Sequence, residues 1–512
     1  MEELHALIHS LSRQQIKVLK KYLVSFSTRN ESESRTWDLA QLLLKSEKNI
    51  PTLNECSIKI YNHVKDSRIE KLKSRLHNKV FDSLMIDINV ERKGTFDELD
   101  QVIIKVLRKS ALYQTLRLSA KSRATANEIL DEIISVTKKY EMYGVLADHL
   151  KHKKWGKGWR QGFIPFNKIN EEISFYEYCS LAVGKATDYY YKMLMHLNFE
   201  GNQDKKKYQE FLREAVADMT KDFEYTKSAV VGHYLKLLEM AYAQSLGDYS
   251  LAKRVGEQML ELLINNLFLS RKSRIGSCYD NIAECDIYLG NYESALQHVA
   301  NAQRYFAVRS PDYYVSKEQE FFALFYMNGT EKAKETCQVL LSSSPANLGD
   351  FRFAKYTFYN ACVLFKQGLF RECSHVLRMK FELTKDRLGW EIAIRVLRIM
   401  AQIELEKHDE VQLMIHSLQK HIERNVRRGD TAHERDRMIL KVFQLLEKEG
   451  FRKGSGFTQA RKLLAQLAEK GKPYSWIPLS PELIPVHEWV IKKFGLEKEE
   501  KPVARGKAVT AG

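Results

Sequence analysis

Asp280 and Glu284 stand four residues apart, and on a helix that spacing sends both carboxylates out from one face. Two carboxyls so placed can divide the work of a general acid and a general base. A reaction needs more than a pair, and the chain carries no HExxH, GxSxG or GxxxxGK[ST] motif to hold a metal, a nucleophile or a nucleotide phosphate. His149 and His152 form an i, i+3 pair among lysines that would repel a metal cation. Seven cysteines (Cys56, Cys179, Cys278, Cys285, Cys337, Cys362, Cys373) include no CxxC pair, which suits small buried thiols of a reducing compartment. The expectation is a protein with no catalytic site, no metal and no cofactor, in which Asp280 and Glu284 belong to a polar recognition surface.

A second stretch, Lys151 to Phe163, combines five cationic side chains with two tryptophans and three glycines. Read as a flexible loop, Lys151, Lys153, Lys154, Trp155, Lys157, Trp159 and Arg160 would stack bases and neutralise phosphates. Read as a connector, it would dock Trp155 and Trp159 onto neighbouring helices. Gly156-Lys157-Gly158 lacks the spacing of a nucleotide-binding loop. The net charge of +16 permits an acidic partner, although the excess is spread along the chain.

The elements that must position these residues are helical. Of nine prolines, Pro473, Pro478, Pro481, Pro485 and Pro502 lie near the end, leaving the preceding 470 residues nearly free of helix breakers. Apolar periodicity predicts helices over residues 4–26, with Ser10 or Ser12 capping a second one, and over 37–46, 53–85, 96–117 and 118–143, the last ending at Gly144. The helix over 53–85 has a basic face of Lys65, Arg68, Lys71, Lys73, Arg75 and Lys79, the pattern of a solvated surface. The amino terminus carries acids directly after Met1 and lacks the pattern of a secretory signal, and no apolar run is long enough to span a bilayer. A cytoplasmic protein is expected.

From Ile173 the helical pattern is continuous, and its turns recur at Gly247, Gly290, Gly329, Gly368 and His408, in steps of 43, 39, 39 and 40 residues. Such a period marks a repeat array. Tyr279 to Phe306 shows the unit most clearly, with the turn Leu289-Gly290-Asn291-Tyr292 and small residues Ala283, Ala295 and Ala302 at helical spacing. Leu246 to Ala252 (LGDYSLA) and Leu289 to Ala295 (LGNYESA), with Ala302 beyond, resemble the turn and second helix of tetratricopeptide repeats, over about residues 205–425. The period exceeds the family's ~34 residues, and longer helices, as in tetratricopeptide-like sensor and adaptor proteins of bacteria, would account for it. The resemblance implies a right-handed α-α superhelix whose first helices line a groove. It carries groove positions onto Tyr234, Leu237 and Gln244; Asp280, Glu284 and Tyr288; Ser316, Gln319 and Tyr326; Lys355, Phe358 and Lys366; and Arg395, Arg398 and Gln402.

The expectation is therefore an all-α protein. It has a helical amino-terminal region (1–150), a basic and aromatic connector (151–172) and a tetratricopeptide-like array (173–425). A helical cap with a proline-rich segment (426–496) and a disordered tail (497–512) follow. In that array the charged segment Arg424 to Arg437 breaks the apolar pattern, so no sixth unit is counted. The expected function is a non-catalytic scaffold or adaptor that binds an extended peptide or a protein partner, with no role for a membrane. Two alternatives are a nucleic-acid-binding helical protein using residues 151–160, and a peptide- or ligand-sensing regulator whose solenoid closes around its ligand.

Overall fold

The computed structural model describes residues 1–25, 35–46, 49–64, 67–87, 97–118, 120–196, 205–342, 350–378, 387–426, 433–452, 456–472 and 474–496. The polar stretch 27–34, Lys65, Gly94, Pro345, Gly454, Ser455, Pro473 and the tail 497–512 lie outside the described residues. The described residues form helices, turns and irregular segments with no strand, and no helix among them is long and apolar enough to cross a membrane. Contacts divide the chain into two compact units, Met1–Arg108 and Lys109–Gly512.

The first unit holds α1 (Glu2–His9), α2 (Arg13–Ser25), α3 (Arg35–Lys45), α4 (Leu53–Tyr61), α5 (Arg68–Asp87) and the start of α6 (Glu98–Leu116). Ser12 caps α2 reciprocally with Gln15, and Thr52 caps α4 with Glu55, each satisfying backbone N–H groups that a helix start leaves unpaired. The core beneath them is Leu4, Ile8, Leu19, Leu39, Leu43, Leu76 and Val80. Lys71 and Arg75 point to solvent, and Lys79 reaches Tyr22 and Asp82, as a solvated basic face requires.

In the second unit, consecutive helices pack against one another as an all-α solenoid: α7 (Arg123–Lys139), α8 (Tyr143–Gln161), α9 (Phe163–Met195), α10 (Lys205–Thr226), α11 (Ala229–Leu246), α12 (Tyr249–Asn265), α13 (Lys272–Leu289), α14 (Tyr292–Gln303), α15 (Pro311–Tyr326) and α16 (Thr330–Leu341). They are followed by α17 (Asp350–Lys366), α18 (Phe370–Val376), α19 (Arg387–Glu404), α20 (His408–Asn425), α21 (Glu434–Lys448), α22 (Gly456–Leu467) and α23 (Val486–Phe494).

Hairpin turns pace this order. After α13, Asn291 N–H donates to Asp286 C=O at 2.8 Å and Gly290 N–H to Ile287 C=O at 3.1 Å, with Gly290 left-handed at φ 79. The same pair of bonds closes α11 at Gly247 and α17 at Gly368. Two turns differ from expectation. Gly329 has an ordinary φ of −75 while Asn328 takes the left-handed position, and Glu406 rather than His408 takes it after α19. The bond from N–H back to the carbonyl five residues earlier persists in both, from Gly329 to Leu324 and from Lys407 to Gln402, so turn geometry recurs where the glycine does not. It recurs again between α21 and α22, where Phe451 donates to Leu446.

Residues 151–161 are not a loop but the second half of α8, and Gly162, at φ 86, makes a tight corner into α9. Gly158 serves packing: a Cβ there would lie 2.9 Å from the Phe166 ring of α9. Gly144 is not a cap; it lies in the first turn of α8, and Glu141 holds the left-handed position before it. The Glu141 carboxylate accepts from Ser228 Oγ, Ala229 N–H and Val230 N–H, placing a negative charge at the amino terminus of α11.

Close approach of helices depends on missing side chains. A Cβ on Gly276 of α13 would lie 2.6 Å from the Phe306 ring, and one on Gly256 of α12 2.8 Å from Ile282. All seven cysteines are buried, Cys278 Sγ lying 3.3 Å from Gly256 C=O. In urea titrations of single variants, Gly276→Ala should lose about 1–3 kcal/mol through overpacking and Gly290→Ala about 1 kcal/mol through its left-handed backbone. Gly184→Ala, where a Cβ meets nothing within 4 Å inside α9, should gain about 0.5–1 kcal/mol. Equal midpoints for Gly276→Ala and wild type would mean that Phe306 is not seated as described.

Candidate partner-binding site

The positions expected to line a groove divide by environment. Asp280, Ser316, Phe358 and Gln402 are buried. Ser316 donates to Asp280 at 2.8 Å, and Gln402 donates to Ser374 at 2.9 Å. Phe358 is 2% exposed and belongs to the core against Trp390, so it contacts no partner. First helices of adjacent repeats lie close enough for Asp280 and Phe358 to reach across, and Gln402 on α19 reaches back to Ser374 on α18, which turns an expected lining into a seam. Gln244 on α11 likewise points at Cys285 Sγ on α13, at 3.8 Å. Lys355 on α17 pairs with Glu318 on α15 at 2.5 Å, and Tyr356 donates to the other Glu318 oxygen at 2.7 Å. Lys366 caps the end of α15, donating to Phe325 C=O at 2.6 Å with its ammonium 4.0 Å over the Phe325 ring.

Half-buried and still reachable are Tyr234, Leu237, Glu284, Tyr288 and Gln319. Tyr288 stacks on Tyr249 of α12 with centroids 3.9 Å apart and 8° between planes, and Tyr234 rests on Tyr190 of α9 at 5.5 Å. Burial pushes the Asp280 carboxyl up to about 7 despite the Ser316 hydrogen bond, with Asp312 and Glu284 adding to the rise. Burial does the same to Glu284, whose residue is half-buried while its carboxyl end is desolvated. These two acids are brought together on α13 as their spacing predicts, each near the midpoint of its titration at neutral pH. Next to them Asp286, fully buried, accepts from Lys253 and Ser294 at 2.7 Å and from Asn291 at 3.4 Å, tying α12, α13 and α14 to one carboxylate.

Tyr326 is covered by the chain itself. The segment after α22 packs against the array. Leu479 N–H donates to Tyr326 Oη at 3.2 Å, and Trp476 meets the Tyr326 ring edge-on at 5.6 Å. Leu483 and Val486 are in the core, and Trp489 donates to Glu404 at 2.7 Å. Arg435 holds this strap. It pairs with Glu482 through Nε at 2.5 Å and Nη2 at 2.8 Å, and its Nη1 donates to Leu467 C=O and Tyr474 C=O. Nothing in the sequence spacing marks this pair, since its members are 47 residues apart and Arg435 sits in a segment that reads as a charged interruption.

Arg395 and Arg398 are half-buried on α19. Arg395 Nη1 donates to Ser417 Oγ at 3.2 Å and lines a pocket of 370 Å³ with Leu413, His416, Ser417, Lys420, His421, Arg424 and Asn425 of α20. Burial, with the neighbouring Arg378 and Arg395 cations, pushes the Arg398 guanidinium down. Sequence reasoning singled out Arg395 but not its α20 neighbours, although their spacing puts cations on one helical face.

The basic and aromatic stretch presents a different surface. Lys151 pairs with Asp148 and Glu177, Lys153 with Asp131, and Lys154 donates to Asn170, so much of its charge is satisfied locally. Arg160 Nε donates back to Gly156 C=O. Trp155 meets the Phe166 ring of α9 edge-on at 5.9 Å yet stays 61% exposed, and Trp159 is 85% exposed, beside Phe163 at 74% and Ile164 at 83%. His149 Nδ1 donates to Val145 C=O at 2.8 Å inside α8, a local contact and not a ligand arrangement. No protein-family model matches this chain, and no curated protein sequence matches it.

Two outcomes follow. Replacing one partner of the Arg435–Glu482 pair, as in Glu482→Gln or Arg435→Met, should cost about 3 kcal/mol, since it leaves a buried charge uncompensated. Limited proteolysis should then cut within 468–485 faster than in wild type. The second concerns pH. Asp280 is raised from 3.8 to about 7, so its contribution to stability is full below the unfolded value and is lost as pH rises through about 7. The stability of Asp280→Asn relative to wild type should therefore increase between about pH 5.5 and 8.5, by on the order of 2 kcal/mol, in paired denaturant titrations. A gap that stays constant with pH would place the Asp280 carboxyl in water.

Proposed function

We propose that this chain is a non-catalytic interaction protein of tetratricopeptide-like architecture, which holds an extended peptide or a segment of a partner protein along the first helices of its repeats. The observation that carries the reading is the row of half-buried aromatic and ionisable side chains on α11 and α13, namely Tyr234, Leu237, Glu284 and Tyr288. Aromatic faces supply apolar contact at low entropic cost, and the half-buried Glu284 carboxylate favours a cationic side chain beside it. The strap covers Tyr326 and Lys366 is engaged with α15, so the partner's contacts concentrate upstream of α15. A cationic partner would favour the ionised form of Glu284, which burial raises to about 7, and so should bind more tightly as pH rises through neutrality.

A second reading has its own observation. Trp155 and Trp159 are exposed on the end of α8 with Lys157 and Arg160 beside them, a surface on which the bases of a single-stranded nucleic acid would stack.

One experiment tests both readings. The full chain is immobilised and exposed to native cell extract at about 150 mM salt, with and without nuclease, at about pH 6.5 and 8. On the groove reading, a protein is retained with or without nuclease, more strongly at the higher pH. It is lost by about tenfold or more from a Tyr234→Ala, Glu284→Gln variant of unchanged thermal midpoint. Retention that disappears with nuclease and with Trp155→Ala, Trp159→Ala, but ignores the groove changes, overturns the groove reading in favour of the second.

A further inference from the structure

The pocket between α19 and α20 is lined by donors. Arg395, His416, Lys420, His421 and Arg424 carry or can carry positive charge, Ser417 and Asn425 are neutral hydrogen-bonding groups, and no carboxylate is among the lining residues. Glu391, which lies 3.3 Å from His421 Nε2, is the acid engaged at its edge. Cations from two helices converge on one concavity, and Arg398, one turn along α19 from Arg395, already feels Arg395 and Arg378 as like charges. Helical spacing brings Leu413, Ser417, Lys420 and Arg424 onto one face of α20, while Arg395 arrives from α19, its guanidinium oriented by Ser417. Such a set has the geometry to take one compact oxyanion from several sides, with the guanidinium offering paired N–H groups and the lysine a point charge.

The dimensions narrow the class. At 370 Å³ the cavity exceeds what a bare phosphate fills and sits at the lower end of the ~300–1,000 Å³ typical of ligand sites. Leu413, 73% exposed, supplies an apolar edge. We propose that this pocket binds a phosphomonoester, the dianionic phosphate between Arg395, Lys420 and Arg424 and the organic group against Leu413. The same chemistry is presented by a free small phosphate ester and by a phosphorylated side chain of a peptide. The proposal is independent of the groove reading, because it shares only the α19 surface with it and none of Tyr234, Glu284 or Tyr288.

The test is calorimetric titration of the full chain, in phosphate-free buffer, with phenyl phosphate, phenol, and a short peptide with and without phosphoserine. Saturable binding of phenyl phosphate is expected, with none for phenol, and Lys420→Gln, Arg424→Gln should weaken it by about tenfold or more, since each loses a charge-assisted contact. Both changed side chains are exposed, so the variant should retain the wild-type melting profile. Arg395→Gln should abolish the signal. A phosphoserine peptide that binds about tenfold better than phenyl phosphate points to a phosphorylated chain as the source, and comparable binding points to a free small molecule. Absence of saturable binding, or binding equal in wild type and the double variant, overturns the proposal.

Discussion

A pair of antiparallel helices joined by a short turn cannot bury both of its apolar faces, and the second unit of this protein follows from that constraint. Each hairpin must be covered by the next, so the register between hairpins has to be held closely. The turn holds it within a hairpin, through the carbonyl bonds that end α11, α13, α15, α17 and α19. Between hairpins it is held by seats in which one residue lacks a side chain and its neighbour supplies a ring, as Phe223 of α10 does over Gly232 of α11. A seat of this kind fixes translation along the helix, because the ring fits only where the Cβ is missing.

Polar groups then make the junctions unlike one another. Asp286 collects Lys253, Ser294 and Asn291, Glu318 collects Lys355 and Tyr356, and Glu482 collects Arg435. Each is a carboxylate withdrawn from water and repaid by two or more donors, a geometry that tolerates no exchange of one repeat for another. Side chains that a regular array would turn toward a partner are thereby used up in joining neighbours. Tyr234, Glu284 and Tyr288 stay half-buried beside these junctions, and cations converge in the pocket of α19 and α20.

The strap shows the same economy at the other end of the array. Residues 474–496 cover Tyr326, Phe365 and Glu404 with Trp476, Trp489 and Leu479, so apolar surface at the hairpin ends is shielded by the chain's own irregular segment. Arg435 supplies the anchor. Shielding by a segment that returns from a later position differs from closure by a further identical repeat, and it leaves α21 and α22 to bury their faces against the array and against each other.

Local patterns were legible. Apolar periodicity placed the helices, the αL turns at Gly247, Gly290 and Gly368 were visible as glycines, and the fourfold spacing of Asp280 and Glu284 put them together on α13, because each depends on residues within a turn or two of chain. Legibility failed where several local choices are nearly equal in energy. Asn328 and Glu406 occupy positions that glycine would favour, and the glycines of residues 151–162 suit a loop or a close helix contact equally well until Phe166 is placed against Gly158. By itself, then, the sequence determined an all-helical chain with a hairpin period near 40 residues. The tertiary structure decided which polar side chain meets water and which meets a neighbour. Asp280, Phe358, Lys355 and Arg435 have their environments set by residues 32 to 47 positions away, brought close only when the hairpins stack.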